Sequence, residues 1–170
     1  VLADPPREGL VLPDLPETSP LSTAEATELY AAMLKDTFVA AANSGGELLV
    51  NYRADDDLPD EFVREESAAA QLRALASEVL DDLDDARFEP QVGSSFDARA
   101  GNTATHLLEQ EGAQSVAVVE GTAPMLTRKE IDSAAMKLRR SEVVLGPAGD
   151  GRTYFAGLTD VVDFDGAYAT

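Results

Sequence analysis

Hydrophobic positions along the chain follow two spacings, which predict helices and strands in alternation. Leu29 and Phe38 belong to an apolar face that predicts a helix over residues 22–42. Ser22 is a favourable first residue for this helix, and Glu25 three positions later completes a capping box. The sequence Asn-Ser-Gly-Gly after residue 42 ends the pattern, as expected at a helix C-terminus.

The rest of the chain continues the alternation. Segments rich in β-branched and aromatic residues indicate strands, and segments with helical spacing indicate helices. The continuous apolar run at 115–119 is typical of a strand buried on both faces of a sheet. The predicted strands are 1–3, 47–53, 87–92, 115–119, 142–145 and 153–158, and the other predicted helices are 61–85, 97–111 and 127–138.

This order of elements predicts an α/β fold, a three-layer α/β/α sandwich around a mostly parallel mixed sheet. We interpret residues 1–170 as a single domain, and we expect a few residues to precede Val1, which lies within the first predicted strand. Ligands of such sheets bind beyond the carboxyl ends of the strands. Three loops are candidates for that edge: the proline-rich loop after Ala3, the loop at Gly121 and the turn at 146–151.

The composition adds an unusual charge to this picture. Apolar residues make up 44% of the 170 residues, enough for one core, but 32 Asp and Glu oppose 13 Lys and Arg, a formal net charge of −19. The acids are spread along the whole chain. This pattern is typical of a halophilic acidic surface adapted to molar salt, where the Debye length falls to about 3 Å. An acidic surface that binds a basic partner is the alternative.

Several functional classes are excluded by what the sequence lacks. A chain with so few clustered basic residues has no patch to neutralise phosphates, so we expect no nucleic-acid binding. The absence of Cys excludes a thiol nucleophile and a cysteine zinc site. No apolar run reaches the roughly 20 residues of a membrane span, and no signal peptide is visible. We therefore expect a cytoplasmic protein without membrane association.

The segment 143–158, V-V-L-G-P-A-G-D-G-R-T-Y-F-A-G-L, carries the most specific chemistry. It predicts two apolar strands joined by a turn of small residues with one carboxylate, Asp150. Such a turn brings backbone close to a ligand. Asp150 would then bind a metal or a sugar hydroxyl; alternatively, its side chain caps the turn locally.

Together with two other segments, this turn resembles the nucleotide-diphospho-sugar transferase superfamily with the glycosyltransferase-A fold. The chain is most similar to a small microbial family of glycosyltransferase-like proteins, some linked to arsenosugar biosynthesis, and more distantly to the guanylyltransferase that activates 2-phospholactate. The family motifs are A-K-x-P-x-x-G-x-x-K-T-R-L after the first strand, Q-x-G before a helix, G-x-D-x-P-x-L after a central strand, and V-V-L-G-P-A-x-D-G-G-Y-Y-L-I-G-L.

The chain matches the scaffold of these motifs and departs from their charges. In the first motif Asp4 and Leu12 stand where the family has Lys, and Pro13 and Asp14 where it has Thr and Arg. In the motif G-x-D-x-P-x-L, Ala123 stands where the family has Asp. The agreeing positions are Ala3, Pro6, Gly9, Leu15, Gln91, Gly93, Gly121, Pro124, Leu126, Gly146, Pro147, Ala148, Asp150, Gly151, Tyr154, Gly157 and Leu158, while Arg152 replaces the second Gly of the last motif.

The resemblance implies a nucleotide or nucleotide-sugar ligand and, in an active enzyme, Mg²⁺ or Mn²⁺; an inactive protein needs no cofactor. Asp150 is the candidate catalytic residue and metal ligand, and Glu120 a substitute metal ligand. The candidate substrate-binding residues are Gly121, Thr122, Gln91, Gly93 and Arg152, although Thr122 would equally bond local backbone and Arg152 would equally be solvated.

Because several charges are missing, we expect weakened or lost nucleotide-sugar transfer. The alternatives are an active glycosyl- or nucleotidyltransferase with a rearranged metal site and a non-catalytic binding or scaffold protein.

Overall fold

The computed structural model describes residues 1–84, 86–149 and 152–163. Its strands are β1 Leu2–Ala3, β2 Leu48–Tyr52, β3 Ala86–Pro90, β4 Val116–Val119, β5 Val143–Pro147 and β6 Thr153–Leu158. Its α-helices are α1 Leu15–Thr18, α2 Thr23–Ala42, α3 Ala68–Ser77, α4 Phe96–Thr105 and α5 Arg128–Leu138. Short 3₁₀ turns span Asp55–Asp57 and Asp60–Phe62, and a π-helical turn, His106–Gln110, continues α4.

Two three-stranded sheets meet at β1. β1, β2 and β3 are parallel neighbours, whereas β6 lies antiparallel between β4 and β5. A parallel bridge between Leu2 and Glu120 joins the two sheets, and the Gly121 N–H donates to the Leu2 carbonyl at 3.0 Å. The combined order is therefore β3-β2-β1-β4-β6-β5, with only β6 reversed among these strands. This confirms the predicted mostly parallel mixed sheet.

Helices cover both faces of this sheet, which confirms the predicted three-layer sandwich. On one face, Leu34 and Phe38 of α2 and Leu72 of α3 pack with Ala3 and strands β2 and β3. The opposite face, which includes Leu2, packs against α4. Helix α5 contributes to a third cluster with residues of β4 and β6. No helix in the described part of the chain is long and apolar enough to cross a membrane.

Both capping boxes read from the sequence are present. The Ser22 hydroxyl accepts from the Glu25 N–H at 3.3 Å, while the Glu25 carboxylate accepts from the Ser22 N–H at 2.8 Å. Thr127 and Glu130 make the same reciprocal pair at the start of α5. These four bonds satisfy backbone donors that a helix start leaves free, so they fix where α2 and α5 begin.

The predicted helix over 61–85 is wrong at both ends. Helix α3 begins only after Ser67, whose side chain accepts from the Ala70 N–H, and it ends at Ser77. The carbonyls of Phe62 and Glu66, which a longer helix would use internally, accept hydrogen bonds from Arg7 instead. A distant side chain therefore overrides the local helical pattern.

The expectation that the fourth strand is buried on both faces is also only partly correct. Val116, Val118 and Val119 are buried, but Ala117 is exposed and lines a cavity of about 660 Å³. Residues of β2, β4 and α5 line this cavity.

Candidate functional site

The carboxyl ends of five strands meet at one edge of the sheet, because those strands run in the same direction. In α/β folds this edge is where ligands bind. The three loops singled out from the sequence all lie there. The first residues beyond the strands are Asp4 after β1, Arg53 after β2, Gln91 after β3, Glu120 after β4 and Ala148 after β5.

Arg7, the basic residue of the first loop, is held inside the protein. Its side chain is 2% exposed. Its guanidinium donates to Asp55 Oδ1 at 2.8 Å, to Gln71 Oε1 at 3.2 Å, and to the carbonyls of Phe62 and Glu66 at 2.8 and 3.0 Å. This cation therefore fastens the first loop to the segment before α3, and its donors do not face a ligand.

Asp55 completes this anchor. Burial raises the pKa of the Asp55 carboxyl, but a hydrogen bond from the Ala68 N–H, a bond from Arg7 and the charge of Arg7 outweigh it. The pKa of Asp55 is lowered overall. The carboxylate is thus held ionised between Arg7 and the first turn of α3, where the helix dipole also favours an anion.

Asp4 brings an anion to the centre of the edge, at the position where the resembled family has Lys. Its backbone N–H donates to the Tyr30 hydroxyl at 2.9 Å, and its carboxylate lies 4.0 Å from a guanidinium nitrogen of Arg53. Burial raises the pKa of Asp4, and the charges of Arg53 and Arg99 oppose this effect without cancelling it. The ionised form of Asp4 is therefore poorly stabilised where it stands.

Arg53 and Arg99 are two cations of this edge that sequence reasoning did not single out. Arg53 follows β2 directly, and its Nε donates to the Asp57 carbonyl at 3.1 Å. Arg99 lies in the first turns of α4, and its Nε is buried without a hydrogen-bond partner among the described residues. A sequence signal existed for Arg53, because a basic residue immediately after a parallel strand lies at the ligand-binding edge.

Gln91 and Gly93 hold the chain against this edge. Gln91 is buried; its N–H donates to the Tyr52 carbonyl at 2.7 Å and its side-chain amide to the Asn51 carbonyl at 2.8 Å. Gly93 has a φ of +147°, and a Cβ there would lie 2.7 Å from the backbone nitrogen of Arg99. Gln91 therefore ties the end of β3 to β2, and Gly93 allows the chain to pass close to the backbone at Arg99.

Gly121 is required by close packing. A Cβ at this position would lie 2.5 Å from Leu34 Cδ2 and 3.0 Å from the Leu2 carbonyl oxygen. The Gly121 N–H donates to that same Leu2 carbonyl. Gly121, the glycine of the G-x-D-x-P pattern, thus allows the chain that follows β4 to pass directly beside β1 and α2.

Glu120 and Thr122 lie next to each other at the end of β4. The exposed Thr122 hydroxyl donates to Glu120 Oε2 at 3.3 Å. Burial raises the pKa of Glu120, and the Thr122 bond and the charge of Arg152 only partly offset it. Within residues 1–84, 86–149 and 152–163, no group of three or more His, Asp or Glu side chains is arranged to hold a metal ion.

Two positions where the resembled family carries charge instead contribute to the apolar core. Ala123, at the position of the family Asp, is 8% exposed and belongs to a cluster with Val119, Leu126 and Phe155. Leu12, at the position of the second family Lys, packs against the core with a φ of +47°. Neither position offers a ligand or a cation to a bound diphosphate.

The turn between β5 and β6 is closed by its own backbone. The Ala148 N–H donates to the Arg152 carbonyl at 2.7 Å, and the Arg152 N–H to the Gly149 carbonyl at 3.1 Å. The Arg152 side chain is exposed, near enough to Glu120 for its charge to act on that carboxyl. Asp150 and Gly151 lie outside the described residues, so the candidate role of Asp150 stays a prediction.

Comparisons with known proteins agree with the fold. A family model described as "Uncharacterized protein conserved in bacteria (DUF2064)" matches residues 40–166. A crystal structure from Desulfovibrio desulfuricans G20, of a protein described as a "putative nucleotide-diphospho-sugar transferase", superimposes with a TM-score of 0.76 at 20% sequence identity. The match covers 99% of this chain and 66% of that one, so this chain spans slightly less than two thirds of its neighbour's length. No curated protein matches the chain in sequence.

Proposed function

The chain belongs to the DUF2064 family, and from this membership and the geometry of the sheet edge we propose that it is a glycosyltransferase-A-like protein whose nucleotide-sugar transfer is weakened or lost. Its ligand is a nucleotide or a nucleotide sugar bound at the carboxyl edge of the sheet. The solved structure that shares its fold is described as a "putative nucleotide-diphospho-sugar transferase", which supports this class of ligand, and ligands of α/β sheets bind at that edge.

The observation that carries the proposal is the apolar packing of Ala123. Transfer from a nucleotide sugar leaves negative charge on the departing diphosphate, which a divalent cation usually neutralises. The resembled family provides a carboxylate for that cation at position 123. Here the position holds a methyl group packed against Val119 and Phe155.

Missing cations add to the loss. Asp4 and Leu12 replace the two family lysines, and the buried Arg7 is fully engaged in holding the first loop. Removal of one preorganised charge typically slows a reaction by about 10²–10³-fold. The combined loss of a metal ligand and two cations would therefore leave little transfer activity.

An active transferase with a rearranged metal site is the second candidate. Glu120 lies at the carboxyl edge of the sheet and would act as a replacement ligand for Mg²⁺ or Mn²⁺ together with Asp150. This alternative has less support, because within residues 1–84, 86–149 and 152–163 Glu120 belongs to no group of three or more His, Asp or Glu side chains that could hold a metal ion. A scaffold role without any ligand has no specific support.

The test is a panel of nucleotide sugars with Mg²⁺ or Mn²⁺ in molar KCl, with binding followed by calorimetry and transfer by product analysis. For the natural chain we expect little or no turnover and no dependence of binding on the metal. The variant Ala123→Asp with Asp4→Lys should gain metal-dependent binding, whereas Ala123→Asn with Asp4→Lys, matched in shape, should not. Thermal melting checks that both variants fold.

Metal-dependent turnover by the natural chain at an ordinary enzymatic rate, about 1 s⁻¹ or faster, would overturn the proposal in favour of the rearranged site. Equal behaviour of the two double variants, both folded, would show that position 123 does not face the metal. In that case the assignment of the metal position is wrong.

A further inference from the structure

Asp4, Arg53 and Arg99 form a small charged group at the carboxyl edge that no comparison explains. We propose that Arg53 and Arg99 form a subsite for a phosphate group and that the Asp4 carboxylate occupies this subsite in the free protein as an internal competitor. The inference rests on the proposed function for the class of ligand, a phosphate-bearing one. It assigns to the two arginines the charge neutralisation that a metal would otherwise provide.

The geometry of Arg53 leaves it available to an anion. Its Nε is bound to the Asp57 carbonyl, which fixes the direction of the side chain. The Asp4 carboxylate lies 4.0 Å from its terminal nitrogen, within ion-pair range but beyond hydrogen-bond distance. Asp4 therefore neutralises Arg53 without forming the two parallel hydrogen bonds that a guanidinium can make with an oxyanion.

Arg99 supplies the second cation and an unused donor. Its Nε is buried and has no hydrogen-bond partner among the described residues. A buried donor without a partner is costly and is therefore uncommon in folded proteins. The Gly93 backbone, packed against the Arg99 nitrogen, holds the start of α4 in place and so fixes the base of the Arg99 side chain.

The Asp4 carboxylate lies in ion-pair range of Arg53 and within the electrostatic influence of Arg99. Charges on Arg53 and Arg99 act on its carboxyl, although burial penalises the charged form. A phosphate has more acceptor oxygens and more charge than a carboxylate, so it can satisfy both guanidinium groups at once. Asp4 must then move away or take up a proton. The free energy needed for either change weakens the binding of the phosphate.

Pyrophosphate and inorganic phosphate, without any divalent metal, are the probes. Calorimetric titration should show that Asp4→Asn binds pyrophosphate about tenfold more tightly than the natural chain, since removal of one facing charge relieves repulsion of that order. Adding Arg99→Gln or Arg53→Gln to Asp4→Asn should remove the gain. Lys35→Gln, which removes a cation paired with Glu78 on the helices, should leave the gain unchanged and so controls for net charge.

The outcomes separate this inference from the proposed function. Equal affinity of Asp4→Asn and the natural chain, with both folded by thermal melting, would overturn the internal competitor. A gain in affinity that survives the addition of either Arg53→Gln or Arg99→Gln to Asp4→Asn would overturn the two-arginine subsite. Either result leaves the proposed loss of transfer intact, because that is tested by metal-dependent turnover. Metal-dependent turnover by the natural chain at an ordinary enzymatic rate, conversely, would end the proposed function without affecting the arginine comparison.

Discussion

Arg7 was visible in the sequence only as one cation in an acidic loop, and the structure gives it a structural task. It links the first loop to Asp55 and to two carbonyls about fifty-five to sixty residues away. Its role was not predictable, because the partners are distant in sequence and are brought together only by the fold. For the same reason Arg99 was overlooked: nothing in the local pattern indicates that the charge of a residue in α4 acts on Asp4.

Arg7→Met should lower the free energy of unfolding by about 3 kcal/mol, because it leaves Asp55 and two carbonyls without their donor. Urea unfolding in molar KCl measures the change. Arg64→Met is the matched control, since Arg64 is exposed and bonds only to nearby carbonyls. A similar loss in both variants would contradict the structural role of Arg7.

Glu120 should make stability depend on pH in the opposite sense to Asp55. The folded protein raises the pKa of Glu120, so the stability it contributes is present below its usual value of 4.5 and is lost as pH rises through the raised pKa. Asp55 has a lowered pKa, so its contribution is present above 3.8 and is lost as pH falls. As pH rises, the free energy of unfolding of Glu120→Gln should therefore increase relative to that of the natural chain. The free energy of unfolding of Asp55→Asn should decrease relative to the natural chain over the same change. A pH-independent difference for Glu120→Gln would contradict the burial of its carboxyl.

At the scale of elements, the sequence predicted best what local chemistry decides. The capping boxes at Ser22 and Thr127 involve residues three positions apart, so the starts of α2 and α5 were readable directly. The start of α3 was not, because Arg7 takes the carbonyls that a longer helix would use. The mostly parallel direction of the strands followed from their alternation with helices, whereas the exposure of Ala117 was not readable from the apolar run at 115–119.

Helix α4 gives a test of how its start is held. Gly93→Ala should destabilise the protein by about 1–3 kcal/mol, since φ there is +147° and the new Cβ would lie 2.7 Å from the Arg99 nitrogen. Gly45→Ala is the control, because a Cβ at Gly45 meets nothing within 4 Å. Chemical unfolding compares the two. Full stability of Gly93→Ala would mean that the loop before α4 adapts freely.

At the scale of the whole molecule, the net charge of −19 dominates. Repulsion among these charges is screened over about 3 Å at 1 M salt but extends to about 10 Å at 0.1 M. We therefore expect the melting temperature to rise as KCl increases from 0.1 to 2 M. Sucrose serves as the uncharged control for general exclusion effects. A melting temperature independent of KCl would contradict adaptation to salt.

The connection between the two sheets at Leu2 has a consequence for the rate at which backbone amides there exchange with solvent. The Leu2–Glu120 bridge and the Gly121 bond to Leu2 join two halves that are each paired over several residues internally. Contacts between α2 and α5 and the hydrogen bond from the Thr103 hydroxyl to Asn51 also cross the seam between these halves, so exchange at Gly121 reports a local opening at Leu2. The Gly121 amide should then take up deuterium sooner than amides paired between β4 and β6, and ligands that span the seam should slow that exchange.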